Sequence, residues 1–222
     1  MQFVYCEQAG EATLNIDNEL FKYLFKVRRH QLQDIIEVRN LKDDTFYSYE
    51  VQNITKKEAT LLLQKSEEKP VNANMKLRLG WCVVDTKTIE KQLPYLNELG
   101  VYSIAFIYAD YSQKNFKLNL DKYEKILINS SQQCGRSSLM QFEVFKSLDE
   151  YLKSYPEAYM FNFSQQHVQE VSNIDTIVVG CEGGFSKREI ALFNEKKIVG
   201  IDSNLVLRSE TAVTTLAAKL IV

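Results

Sequence analysis

Two stretches near the end of the chain hold the residues best suited to chemistry. Asp175–Arg188 reads DTIVVGCEGGFSKR, and Asn204–Leu220 reads NLVLRSETAVTTLAAKL. In the first, the β-branched run Ile177–Val179 reads as a buried parallel strand that stops at Gly180. Gly183 and Gly184 follow Cys181 and Glu182, and glycine lets another group come close to the backbone. Ser186 and Glu189 have the spacing of a capping box at the start of a helix. Strand, glycine-rich turn and helix in that order form the place where open α/β sheets bind ligands. Neither the phosphate-loop pattern nor GxGxxG is present, so a tight structural turn is the plainer alternative.

The second stretch repeats the arrangement. Leu205–Leu207 reads as a short strand stopped by Arg208, and Ser209 or Thr211 is placed to cap a final helix. Glu210 falls in its first turn, where the helix dipole favours a carboxylate. Val213, Leu216, Ala217 and Leu220 recur at helical spacing. Two polar strand-to-helix turns therefore lie close together in sequence.

These segments carry a family resemblance. GCEGGFS resembles the signature GPEGGFS, and LVLRSETA resembles ILRTETA, of the RsmE-type 16S ribosomal RNA uridine methyltransferases. That family belongs to the SPOUT class of trefoil-knotted enzymes, which use S-adenosylmethionine. The resemblance implies methylation of the N3 imide nitrogen of a uridine in 16S RNA. It implies a cofactor site built from Phe161, Gly180, Glu182, Gly183, Gly184, Ile201, Ser203, Leu205, Leu207 and Arg208. QQCGR at Gln132–Arg136 resembles the family's EQCGR, which makes Arg136 and Arg208 the guanidiniums expected to stabilise charge on the uracil ring. Glu210 is expected to orient an arginine or to accept the proton.

The chain departs from the family at Cys181 for proline, Gln132 for glutamate, Ser203 for glycine, and in Tyr111–Asn115, where an arginine is missing. Those departures leave open a catalytically silent RNA-binding protein of the same fold, or an enzyme for another RNA site. A plain nucleotide-binding α/β protein is a third alternative. Cys181 as a nucleophile lacks a histidine nearby to activate it, His167 being the nearer of two.

The elements that must position these residues divide the chain. Residues 1–70 hold short alternating segments, Gln2–Tyr5, Ile35–Arg39, Thr45–Val51 and Ala59–Leu63, as in a small β-rich domain. Among them FKYLFKVRRH at Phe21–His30 interleaves aromatic residues with Lys22, Lys26, Arg28 and Arg29 and has no acid. With His30 it is a candidate phosphate-contacting surface; the alternative is a helix or strand edge with solvated cations. The resemblance makes this domain, residues 1–68, a PUA-like β-barrel that grips RNA. Gln64–Ala73, charged and holding Pro70, reads as a linker.

From residue 74 strands and helices alternate, which implies an α/β domain with a mostly parallel sheet over 74–222. The helix Thr88–Leu99 contains Pro94, and Leu120–Gln133 forms a longer one. A net charge of −2 argues against indiscriminate nucleic-acid binding but not against a local basic patch. No run of about 18 apolar residues suggests a membrane span. The four cysteines are scattered, with no metal-ligand spacing, as expected for free thiols in a cytoplasmic protein. The small ribosomal subunit is the expected partner, and a homodimer the expected assembly, with the apolar segment Val213–Val222 suited to its interface.

Overall fold

A computed structural model describes residues 2–222, which divide into two compact units. The first holds residues 2–72 together with Ile128–Leu139, and the second holds Ala73–Leu127 and Met140–Val222.

The first unit is a curled half-barrel. Its strands β1 (Val4–Tyr5), β2 (Thr13–Ile16), β3 (Ile35–Arg39), β4 (Thr45–Ile54) and β5 (Ala59–Glu68) pair in the order β1-β3-β4-β5-β2. β2 was not among the expected segments, although TLNI alternates exposed and buried positions as a one-faced strand does. β5 also runs through the first half of the expected linker, pairing as far as Thr45↔Glu68. Its outer end is exposed and polar, and main-chain pairing there needs no apolar periodicity. Pro70, which has no N–H to donate, follows its end.

Between β2 and β3 the chain forms helix α1 (Asn18–Phe21), which continues as a π-helical stretch over Lys22–Val27. The Arg28 N–H donates to the Tyr23 carbonyl at 2.9 Å, five residues back. Phe21, Leu24 and Phe25 face the core and leave Lys22, Lys26, Arg28 and Arg29 exposed.

The second unit is a six-stranded parallel sheet in the order β11-β9-β10-β6-β7-β8. In chain order it comprises β6 (Arg78–Cys82), α2 (Thr86–Glu98), β7 (Ser103–Ile107), α3 (Leu120–Cys134), β8 (Gln141–Phe145), α4 (Leu148–Ser154) and β9 (Tyr159–Phe161). β10 (Thr176–Val179), α5 (Lys187–Ile190), β11 (Ile198–Val199) and α6 (Ser209–Ile221) follow. The last residues of α3 belong to the first unit. The alternation read from the sequence thus gives the mostly parallel sheet. β10 is buried along its whole length between β6 and β9, as its β-branched run requires. The Asp85 carboxylate caps α2 by accepting the Thr88 N–H at 3.1 Å, and Pro94 sits inside the helix.

Two further details differ from the sequence reading. Leu205–Leu207 is not a strand; the edge strand is β11, and Leu205 and Val206 are exposed in a loop. A short apolar run reports that its residues are covered by something, not that they pair. Neither Ser209 nor Thr211 caps α6: Arg208 is the residue before its first turn and supplies no side-chain cap. The Ser209 hydroxyl is engaged elsewhere, accepting from Trp81 Nε1 at 2.9 Å and donating to the Gly180 carbonyl at 2.5 Å.

Candidate functional site

The C-terminal edge of the parallel sheet opens into a cavity of about 540 Å³. That volume lies within the roughly 300–1,000 Å³ typical of small-molecule sites. Three segments line it: Phe161–Gln165 after β9, Val179–Phe185 after β10, and Gly200–Leu207 before α6. His167, Ser209 and Ala212 complete the wall.

The middle segment is the glycine turn. Cys181 and Gly184 bridge antiparallel to each other, and the Gly184 N–H donates to the Cys181 carbonyl at 2.9 Å. A Cβ on Gly180 would stand 3.0 Å from the Gly184 Cα, so the turn closes only with glycine there. The expected capping box of α5 is present. Ser186 Oγ accepts the Glu189 N–H at 3.2 Å, and Glu189 Oε2 accepts the Ser186 N–H at 3.0 Å. Cys181 is buried, its thiol is pushed up by that burial, and it donates weakly to the Gly184 carbonyl. A buried, protonated thiol is a poor nucleophile.

The loop before α6 is open by contrast. Leu205 is 78 % exposed and Val206 76 %. Ser203 Oγ accepts the Leu205 N–H at 3.1 Å, so serine at this position ties the loop to itself. Across the cavity, the Asn162 N–H donates to the Val199 carbonyl at 2.9 Å and holds the segment after β9 to β11. The His167 N–H donates to Glu170 Oε2 at 2.9 Å, which fixes the backbone turn beneath the histidine.

Nine expected residues line this cavity together: Phe161, Gly180, Glu182, Gly183, Gly184, Ile201, Ser203, Leu205 and Leu207. Sequence reasoning missed Asn162, Phe163, Ser164, Gln165, Asp202 and Asn204. The signal for the first four was their place just past a parallel strand.

Arg208 is not in the lining; its exposed guanidinium is 3.9 Å from Glu210, whose side chain is mostly covered. Arg136 belongs to the first unit, just beyond α3, and its guanidinium is buried, which depresses its pKa. Gln132 also belongs to that unit. Its Oε1 accepts the Tyr5 N–H at 2.9 Å, so an amide oxygen serves where a carboxylate oxygen could accept the same bond.

Glu182 and Asp202 are in the lining, whereas no lysine or arginine is. Their two carboxylates favour a ligand that carries positive charge. Among the described residues no group of histidine, cysteine and carboxylate side chains could hold a metal ion.

The basic segment of the first unit is partly self-paired. Lys22 meets Glu19 at 2.7 Å, and Arg28 Nε donates to the Tyr23 hydroxyl at 3.0 Å while its guanidinium lies over that ring. Lys26 lies over Phe21, and His30 Nδ1 is 3.2 Å from Asp34. Arg29 adopts φ 62°, a left-handed turn position. Lys22, Lys26, Arg28 and Arg29 are exposed and His30 is half-buried. Among the described residues no helix is long and apolar enough to cross a membrane.

Comparison with known proteins places this architecture. The family model described as RNA methyltransferase domain matches residues 71–221, and the one described as RNA methyltransferase PUA domain matches residues 16–64. Ribosomal RNA small subunit methyltransferase E of Helicobacter pylori is 40% identical over 98% of this chain and 98% of its own. A methyltransferase of Legionella pneumophila, solved in complex with SAM, superposes with a TM-score of 0.81 at 21% identity, covering 99% of this chain and 96% of its own. The methyltransferase E of Neisseria gonorrhoeae, solved bound to S-adenosyl methionine, superposes at 0.80 and 16% identity, covering 98% and 96%. With both signatures at one cavity and a relative this similar end to end, the chain belongs to the small-subunit ribosomal RNA methyltransferase E family, the RsmE-type RNA methyltransferases.

Proposed function

We propose that the protein transfers a methyl group from S-adenosylmethionine to the N3 nitrogen of a uridine in 16S ribosomal RNA. The observation that carries this reading is the meeting of GCEGG and the Leu205–Leu207 loop at one cavity that no lysine or arginine lines. The cofactor is a cation at its sulfonium and carries no phosphate, which suits Glu182 and Asp202.

In this reading Gly180, Gly183 and Gly184 present main-chain groups to the cofactor, and Phe161, Ile201, Leu205 and Leu207 form the apolar walls around adenine. Ser203 shapes the loop that carries Leu205. The cofactor supplies an electrophilic methyl group on its sulfonium. Arg208, held near Glu210, stabilises negative charge on the uracil as N3 loses its proton, and Glu210 orients that guanidinium or takes the proton. Arg136 is proposed as a second such cation. The buried imide of a paired uridine is out of reach, so the target base must be unpaired when it enters.

Residues 1–68 form the RNA platform of this reading, with Lys22, Lys26, Arg28, Arg29 and His30 facing phosphates, and residues 74–222 the methyltransferase domain. Trefoil-knotted threading, a homodimer and a cytoplasmic location with the small ribosomal subunit belong to the same proposal.

Calorimetric titration with S-adenosylmethionine tests the cofactor site, and one site per chain is expected. Methylation of 16S RNA lacking the modification, followed by mass mapping, tests the target. Wild-type turnover in both Arg136→Ala and Arg208→Ala would remove the roles given to those residues. Absence of binding at millimolar cofactor would leave the silent RNA-binding protein.

A further inference from the structure

The shape of the glycine turn is set from outside the cavity. α5, which follows the turn, has only four residues and cannot fix its position alone. Its Glu189 is fully buried, and the two carboxylate oxygens are divided between two segments. Oε2 accepts the Ser186 N–H at 3.0 Å, and Oε1 accepts the Asp110 N–H at 2.9 Å, from the segment just beyond β7. Asp110 returns the connection through its side chain. Its Oδ2 accepts from Ser186 Oγ at 2.5 Å, and its two oxygens take Arg188 Nε and Nη2 at 3.1 and 2.9 Å. The remaining Arg188 nitrogen, Nη1, binds both oxygens of Asp149 on α4 at 3.0 and 2.8 Å. One guanidinium thus holds Asp110 through two nitrogens, in fork geometry, and Asp149 through the third.

The residue after Asp110 touches the turn itself. A Cβ on Gly183 would stand 3.1 Å from the Tyr111 Cβ, so Tyr111 packs against the bare backbone of the turn. Wherever Asp110 is held, Tyr111 and the main chain of Cys181–Gly184 are held with it. Neither Asp110 nor Arg188 lines the cavity.

We propose that Asp110 and Arg188 are positioning residues for cofactor binding: their ion pair, braced by Asp149, locks the segment after β7 against the glycine turn and so sets the cavity wall. The inference rests on the reading of that cavity as the S-adenosylmethionine site. The pairs are about half exposed, and such pairs add little to global stability. Their effect is on local geometry, so affinity should change far more than melting temperature.

The test compares Arg188→Met and Arg188→Lys with wild type. In Arg188→Met, the Kd and the KM for S-adenosylmethionine rise about ten-fold, as a small misplacement of binding groups would produce. At saturating cofactor kcat stays within about two-fold, as expected when ground-state and transition-state binding are lost equally. Arg188→Lys recovers only part of the affinity, because an ammonium cannot make the two-nitrogen fork to Asp110 while also holding Asp149. Hydrogen exchange on the cofactor-free protein should show the amides of Tyr111–Ser112 and of Cys181–Phe185 accelerating together in Arg188→Met. Unchanged affinity and unchanged exchange in that variant would overturn the proposal, as would a lower kcat at constant KM. A wild type that binds no cofactor would instead remove the function proposed above, and the exchange comparison would still decide whether the lock exists.

Discussion

The turn Gly180–Phe185 and the loop Ile201–Leu207 line the same cavity but are held in opposite ways. The turn is fixed by an internal bridge, a capping box and the bonds from Glu189 and Asp110. The loop has two exposed aliphatic side chains and a bond from its own serine. At the end of the loop, Ser209 joins the two segments by donating to the Gly180 carbonyl while accepting from Trp81. A built wall and an open wall together suit a site in which one side exists before the ligand and the other gains its contacts from it.

The largest effect should come from breaking the built wall. Gly180→Val places side-chain carbon against the Gly184 Cα, 3.0 Å from the would-be Cβ. Cofactor affinity should fall about 100-fold or more through misplaced main chain, with the circular dichroism spectrum retained. Affinity equal to wild type would show that the turn does not shape the site.

Next is the joint. Ser209→Ala leaves the buried Trp81 Nε1 without its acceptor and the Gly180 carbonyl without its donor. Orphaned buried groups of this kind cost about 1–3 kcal/mol, read as a lower denaturant midpoint. No shift would mean that the two segments are held together by packing alone.

The open wall should behave in reverse. Leu205 is 78 % exposed, so Leu205→Ala should change stability by no more than about 0.5 kcal/mol. If the bound cofactor covers it, affinity should fall about ten- to 100-fold, the scale of the ~1.5–3 kcal/mol from burying a leucine. Stability loss without affinity loss would exchange the roles of the two walls.

The smallest effect is acid-dependent. The hydrogen bonds from Arg188 and Ser186 hold the Asp110 pKa below its ordinary value of 3.8. A depressed folded-state pKa gives stability that is present above the unfolded value and lost as pH falls through the folded one. The small difference in melting temperature between wild type and Asp110→Asn should therefore be constant from about pH 7 to 5 and close below about pH 4. A gap that persists at pH 2 would assign it to the neutral hydrogen bonds.

Much of this molecule was legible from local sequence. β-branched runs gave the buried strands, Ser186 and Glu189 gave the cap of α5, and the two signatures marked both walls of the cavity. Each is a statement about neighbours within a few residues, where backbone sterics and periodicity act directly. Leu205–Leu207 was misread because a strand and a cavity-lining apolar loop have the same composition. The segment after β9 was missed because Asn162 and Phe163 become cavity residues only through the order β11-β9-β10.

The pairings that decide the site join residues far apart in the chain. Trp81 meets Ser209, Asp110 meets Glu189 and Arg188, and Arg188 meets Asp149. No local rule selects those partners, since many carboxylates and hydroxyls could satisfy each donor. By itself the sequence determined which short elements form and which two signatures matter. Tertiary structure decided which distant groups close around them, because a buried donor takes its acceptor from whatever the packed sheet brings within reach.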